Sequence, residues 1–394
     1  MTIDVVYNYA EINADKSNPK NVSNGELRYS LRSVFKYLPF VRKIWIIMPN
    51  KSISFLDGTN DKITYVNDSQ IVDGSTRNST VKEWQMWKLL ELGCSENIIY
   101  FNDDYFIGQP CTEDVFFNPT NGKPYVPIVF KTHQLNHNVI EMTKQKWHSR
   151  TTDDDFRRHT GNSHMIQRFN SIAFVSSLVP DGKLQWHMSR TFFHNACGVN
   201  LNDAKTLYDL MMQKYNHKEF IRSVERGRYD LQWQEAYWSY CYNVLGYKGK
   251  GFMFGFYEFP SWTLPKSLPT VFCINTSGTY PKLSTHDVIH FVREMEKHYP
   301  DPIKGEIATG SVTNQISESF TQSLTQSITQ ASTNPFTKSI TRTLSQSSTN
   351  PFTQSITRTL SQSSVHPSTH PSVATSTYHR TKINELLSAF GWHD

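Results

Sequence analysis

Ile98-Ile99-Tyr100-Phe101-Asn102-Asp103-Asp104 is the stretch on which the fold turns. Four apolar residues, β-branched and aromatic, read as a buried strand, and the polar triplet ends it. Adjacent carboxylates at the carboxyl end of such a strand lie where open α/β sheets take their ligands. Asn and Asp oxygens at that place suit Mg²⁺ or Mn²⁺, cations that bridge phosphate oxygens and neutralise charge as a phosphoester bond breaks. The same triplet also reads as a plain polar turn.

Working toward the amino terminus, strands and helices alternate. Ile3 to Tyr7 is a short buried strand. Ser23-x-x-Glu26 fits a capping box, and Leu27, Leu31, Val34, Phe35 and Leu38 follow at helical spacing until Pro39 stops the helix. Val41 to Met48 and Ile63 to Val66 read as strands, and Thr80 to Leu92 as a helix with Trp84, Trp87 and Leu90 inward. This alternation predicts an α/β domain, a mostly parallel sheet with flanking helices.

Residues 109–255 form a variable middle part with a helix expected over Leu231 to Val244, and a last block runs from Val271-Phe272-Cys273-Ile274 through a helix at Thr285 to His298. After about residue 306 the composition shifts to Ser, Thr and Gln. Residues 332–347, STNPFTKSITRTLSQS, recur at 348–363 with Lys338 replaced by Gln354. So few large apolar residues cannot offset the entropy of ordering, which predicts a disordered tail over 306–380 and a short terminal helix within 381–394. The domain itself is expected to span 1–305.

The formal charge of +5 over 394 residues is too small and too scattered to argue for nucleic-acid binding. Five widely spaced cysteines without a Cys-x-x-Cys pair suggest reduced thiols rather than a disulfide framework or a zinc knuckle. No run approaches the roughly 18 apolar residues of a membrane-spanning helix, and no export signal is evident, so a cytoplasmic location is expected. Oligomeric state is not legible.

Beyond the aspartates, Arg28 and Arg32 are one helical turn apart and off the apolar stripe, either a clamp for a diphosphate or ordinary surface arginines. His164 is a candidate general base, and equally a structural histidine. The pairs His133/His137 and His286/His290 have metal-like spacing but lack the usual third ligand, so neither reads as a zinc site.

Asn24-Gly25-Glu26-Leu27-Arg28-Tyr29-Ser30-Leu31-Arg32-Ser33, with Val41-Arg42-Lys43-Ile44, resembles the second conserved region of the Stealth family. That family contains bacterial capsular polysaccharide phosphotransferases and the animal lysosomal-enzyme N-acetylglucosamine-1-phosphotransferase. Ile99 to Gly108 looks like its third region, joined by Asn78-Ser79 and Glu83; Ile3 to Tyr7 resembles the first, and Phe272-Cys273-Ile274-Asn275 with Tyr299-Pro300-Asp301-Pro302 the fourth. Ser163-His164-Met165-Ile166 and Arg226-x-x-x-Asp230-Leu231-Gln232 are similar to later family segments.

The resemblance implies a nucleotide-diphosphosugar transferase-like fold that moves a sugar-1-phosphate from a UDP-sugar to a glycan hydroxyl, releasing UMP, in capsular or cell-surface polysaccharide synthesis. It implies Asn102, Asp103 and Asp104 as metal ligands, with Arg28, Arg32, His164, Arg226 and Asp230 as catalytic residues. Asp4, Asn24, Glu26, Asn78, Gln232 and Asn275 are implied on the substrate. The chain departs from the family pattern at Tyr9-Ala10-Glu11-Ile12, at Asn21-Val22-Ser23 and at Thr276 after Asn275, positions that bear on donor choice. Two alternatives stay open: a metal-dependent glycosyltransferase releasing UDP, and a non-catalytic glycan-binding homologue.

Overall fold

The computed structural model describes residues 1–9, 25–49, 53–73, 79–127, 133–157, 161–180, 183–186, 195–214, 227, 229–251, 254–259, 264–276 and 285–307. All of these fall within a compact unit spanning Met1–Ile316; of the expected disordered tail only Glu306 and Ile307 are described, and they are bonded to the domain, while the rest of the tail and the terminal helix lie outside the described residues.

The strands are β1 (Ile3–Asn8), β2 (Ile44–Met48), β3 (Ile63–Asn67), β4 (Asn97–Phe101), β5 (Tyr105–Ile107), β6 (Val126–Pro127), β7 (His133–Asn136), β8 (Lys183–Trp186), β9 (Cys197–Asn200), β10 (Gly249–Lys250), β11 (Phe254–Phe259) and β12 (Val271–Thr276). The helices are α1 (Glu26–Tyr37), α2 (Ser79–Gln85), α3 (His137–Arg150), α4 (Asp153–Arg157), α5 (Gly161–Ser176), α6 (Leu201–Lys214), α7 (Trp233–Asn243) and α8 (Thr285–His298).

The main sheet runs β3-β2-β1-β4-β9. Its first four strands are parallel, and β9 closes the edge antiparallel to β4. Strands covered by helices on both faces need apolar residues at every position. β2 is apolar throughout, β1 apart from Asp4 and Asn8 and β4 apart from Asn97, and all three are buried almost throughout. The mostly parallel α/β architecture expected from the alternation is therefore what the chain adopts.

A second, three-stranded sheet, β11-β12-β5, stands beside the first. Here the period of two is visible. Tyr105 and Ile107 of β5 enter the main core, while Phe106 enters a smaller one with Phe272, Ile274, Phe291, Met295 and Tyr299. On β12, Val271 and Cys273 share the main-core side.

Two local expectations are revised. Helix α1 is not started by the Ser23 capping box: its N-cap is Gly25, left-handed at φ 86°, with no side-chain cap bond. The helix expected through Leu92 is α-helical only to Gln85 and continues as a 3₁₀ segment over Met86–Leu92. In the middle part the helix expected over Leu231 to Val244 is α7, and stretches given no element from sequence form α3 to α6 and the edge strand β9.

Asp4 is the clearest correction. It lies near the amino end of β1, opposite Ile98 in register, away from the carboxyl ends where ligands are taken. Fully buried, it accepts hydrogen bonds from Arg42 Nε and Nη2 (2.9 and 2.6 Å), Trp45 Nε1 (2.9 Å), Lys43 N (3.2 Å) and Ser95 N (2.9 Å). Burial alone would raise this carboxyl, but the bonds from Arg42, Ser95 and Trp45 outweigh it and hold it below the usual range. It ties the β2 entry to the β4 entry and has no free oxygen for a substrate.

Asp4→Asn is expected to cost about 2–4 kcal/mol in urea unfolding at pH 7, because buried donors lose a charged acceptor. A depressed folded pKa adds stability above the unfolded value and loses it on acidification, so the gap between wild type and variant should close as pH falls below about 4.

Candidate active site at the carboxyl ends of β1 and β4

The chain builds β1, β2 and β3 outward in one direction, then returns to place β4 on the other side of β1. Where the order reverses, the connections leave in opposite directions and open a crevice beyond the carboxyl ends of β1 and β4. Tyr7 and Phe101 are register partners there, their rings 5.1 Å apart. Asn102, Asp103 and Asp104 follow directly.

The turn is held from several sides. Tyr105 N donates to Asn102 O at 3.3 Å, and Ile274 N of β12 donates to Asp104 O at 3.0 Å. Tyr7 Oη lies 2.8 Å from Ser30 Oγ, which donates to Tyr105 O; Ser33 Oγ accepts from Ile107 N at 3.1 Å. The small-residue face of α1 is thus stitched to β5.

Asn102 is spent on this scaffold. Its Oδ1 is 2.7 Å from Tyr100 Oη, whose proton is shared with Glu83 Oε1, also at 2.7 Å, and its Nδ2 donates to Tyr105 Oη at 3.1 Å. Committed to two tyrosines, the amide leaves the expected ligand set. The two carboxylates remain.

Their electrostatics are unusual for surface-turn residues. Burial raises the Asp103 carboxyl, and burial together with the neighbouring Asp103 charge raises Asp104, against the hydrogen bond from Cys273. Asp104 Oδ2 accepts from Cys273 Sγ at 3.2 Å, whereas Asp104 Oδ1 is buried and has no hydrogen-bond partner. A desolvated carboxylate oxygen with no donor is costly unless a cation or proton meets it. Paired hard oxygens of this kind fit Mg²⁺ or Mn²⁺. Among the described residues no group of three or more His, Cys, Asp or Glu is gathered to hold a metal, so the remaining coordination would come from water and ligand oxygens, as Mg²⁺ prefers.

Glu26 belongs to this neighbourhood. At the first turn of α1, it acts with Asp103 and Asp104 on Cys273, whose thiol burial and these charges push well above its ordinary range. Arg28 and Arg32 face elsewhere. Arg32 Nη2 meets Glu306 Oε1 at 2.6 Å and its Nη1 meets Glu296 Oε1 at 3.2 Å, while Arg28 Nε is 3.5 Å from Glu306. Tyr299 O accepts from Arg32 Nη1 at 2.7 Å. Both arginines are buried, and the carboxylates of residues 296–306 occupy them where a diphosphate had been expected.

His164 is half-buried on α5, one turn before Gln167 and Arg168. That helix is fastened to the start of α7 and the residue before it: Arg168 Nε pairs with Glu235 at 3.0 Å, and Gln232 N donates to Ser171 Oγ at 2.7 Å. Asp230 accepts from Gly227 N at 2.6 Å and so closes its own turn. The Gln232 side-chain oxygen is buried without a hydrogen-bond partner. The helix that carries His164 is thus packed, through Asn170 and Ser171, against the segment that carries Asp230 and Gln232. Asn24, Asn78, Arg226 and the side chain of Asn275 lie outside the described residues. Sequence reasoning gave no role to Tyr100, Ser30 or Cys273; the alternation along β12 was the signal that Cys273 faces the turn.

Residues 20–125 match the family model described as Stealth protein conserved region 2. Ile99 to Gly108, read above as a third region, falls inside the stretch similar to this second one. A capsular polysaccharide phosphotransferase of Neisseria meningitidis serogroup B is 37% identical over 123 residues, 30% of this chain and 32% of that protein. One from Actinobacillus pleuropneumoniae is 43% identical over 98 residues, 24% of this chain and 26% of that protein. The match thus spans a third or less of these relatives' length. Among solved structures, a galactosyltransferase in complex with donor and acceptor sugar analogs aligns with 77% of this chain and 98% of its own, at 10% identity and a TM-score of 0.37. That score is too low to define a shared fold, and the sheet order stands by itself.

The raised carboxyls set a sign opposite to that of Asp4. A folded state that holds protons more tightly than the unfolded chain loses stability as pH rises through the folded pKa values. Without metal, the contribution of Asp103 and Asp104 should therefore decline between about pH 4 and pH 8. Asp104→Asn, monitored by thermal unfolding in EDTA, is expected to flatten that decline and to match or exceed wild-type stability at pH 8. Mn²⁺ should raise the wild-type melting temperature more at pH 8 than at pH 5 and leave the variant nearly unmoved.

Proposed function

We propose that this chain transfers a sugar-1-phosphate from a UDP-sugar to a glycan hydroxyl, releasing UMP, in the synthesis of a capsular or cell-surface polysaccharide. The observation that carries the reading is the half-buried Asp103–Asp104 pair at the carboxyl ends of β1 and β4, with one buried Asp104 oxygen lacking any hydrogen bond. The conserved region that contains the pair, and the names of the relatives that share it, support the reaction class.

In this reading Asp103 and Asp104 hold Mg²⁺ or Mn²⁺, which supplies charge neutralisation at the donor's phosphates when bound. The amino end of α1 adds to it: its N-cap is a glycine without a side-chain cap bond, and its first turn lies by Cys273. Helix amino ends of this kind favour phosphate oxygens. With Arg28 and Arg32 engaged by Glu296 and Glu306, they act by holding α1 in place.

The acceptor oxygen attacks the β-phosphorus, the bond to the bridging oxygen breaks, and UMP departs with that oxygen. His164 takes the acceptor proton. Positioning and electrostatic complementarity provide most of the acceleration in such phosphoryl transfers.

The test is incubation with Mn²⁺, a panel of UDP-sugars and glycan acceptors, followed by identification of the nucleotide released. UMP is expected. Release of UDP would make the chain a glycosyltransferase instead. Asp103→Asn and Asp104→Asn should each lower turnover by about 100-fold or more, and His164→Ala by about 100- to 10,000-fold. Full biological activity in both aspartate variants would leave only a glycan-binding role.

A further inference from the structure

We propose that Cys273 is a positioning residue for the cation site: by donating to Asp104 Oδ2 it turns the carboxylate so that Oδ1 is left for a divalent cation. The inference rests on the cation reading above and deepens it.

Four observations meet at this contact. The Cys273 thiol donates to Asp104 Oδ2 at 3.2 Å, and it is fully buried. The other oxygen of the same carboxylate, Oδ1, is buried with no hydrogen bond. The neighbouring backbone repeats the connection, since Ile274 N donates to Asp104 O at 3.0 Å. The register fixes the geometry, because Cys273 pairs with Tyr105, the residue after Asp104, and both face the main core.

A carboxylate on a free turn rotates about its Cβ–Cγ bond and presents either oxygen, or both. Here one oxygen is held by β12 and the other is not, so a bound cation meets Asp104 through one oxygen in one orientation. Partners behind a ligand that fix its orientation are a general device of metal sites, and losing one typically weakens metal binding by about 10- to 100-fold. A thiol is a weak donor. It restrains the carboxylate while withdrawing little of the charge that the cation needs.

Mn²⁺ titration of the full chain, with free Mn²⁺ read by electron paramagnetic resonance, tests this without any turnover. Cys273→Ala and Cys273→Val remove the donor, Val filling the space more fully; Cys273→Ser keeps a donor. Cys241→Ala removes another buried thiol, on α7, and serves as the control. The Ala and Val variants are expected to bind Mn²⁺ about tenfold or more weakly. The Ser variant should stay within about threefold of wild type, and Cys241→Ala should match it. Thermal unfolding in EDTA identifies which of the Ala and Val variants is folded, and that variant decides the result. Wild-type affinity in it, or equal weakening in the Ser variant, overturns the positioning role while the cation site stands. Failure of the wild type to bind Mn²⁺ overturns the cation reading and this inference with it.

Discussion

Two half-buried carboxylates side by side at the carboxyl ends of β1 and β4 repel each other, and the surrounding structure holds them there. The cost of desolvating a charge is large compared with a domain's net stability. It is carried by a rigid frame: a central parallel sheet buried on both faces, a turn bonded at both ends, and a second sheet pressed against the turn through Ile274 and Cys273. Natural sites that bind cations commonly accept such strain, because the ligand relieves it.

Much of the frame was legible in the residues. Unbroken apolar runs such as Ile44–Met48 and Ile98–Phe101 mark strands covered on both faces, and Leu27, Leu31 and Val34 mark the inward stripe of α1. What escaped the reading depends on long-range contact. Arg28 and Arg32 look like surface arginines or an anion clamp on a helical wheel, but Glu306, some 270 residues away in sequence, is what decides their role. Asp4 looks like a polar residue in a strand near the ligand crevice; only the register shows that it lies at the far end. Asn102 is indistinguishable by spacing from its two acidic neighbours, and it is the pair of tyrosines at 100 and 105 that takes its amide out of play.

Helix α1 connects these features. Its first turn neighbours the aspartates, its serines bind β5, and its arginines grip the segment 296–306. The last described stretch of the unit is thereby fastened to the same helix that flanks the crevice. Buried ion pairs of this type add little net stability, but removing one partner is expensive, which favours a single arrangement over alternatives.

The three residues of β5 divide two cores between them, Tyr105 and Ile107 on one side and Phe106 on the other. A strand that follows the aspartate turn without a spacer has no slack in length. One residue gained or lost between Asp104 and Gly108 would exchange the two faces, sending Phe106 toward the main core and the tyrosine toward the smaller one. Variation along this stretch is therefore confined to substitution, while the connections of the middle part can absorb insertions. Drift in related chains should be written here in side-chain volume and there in chain length.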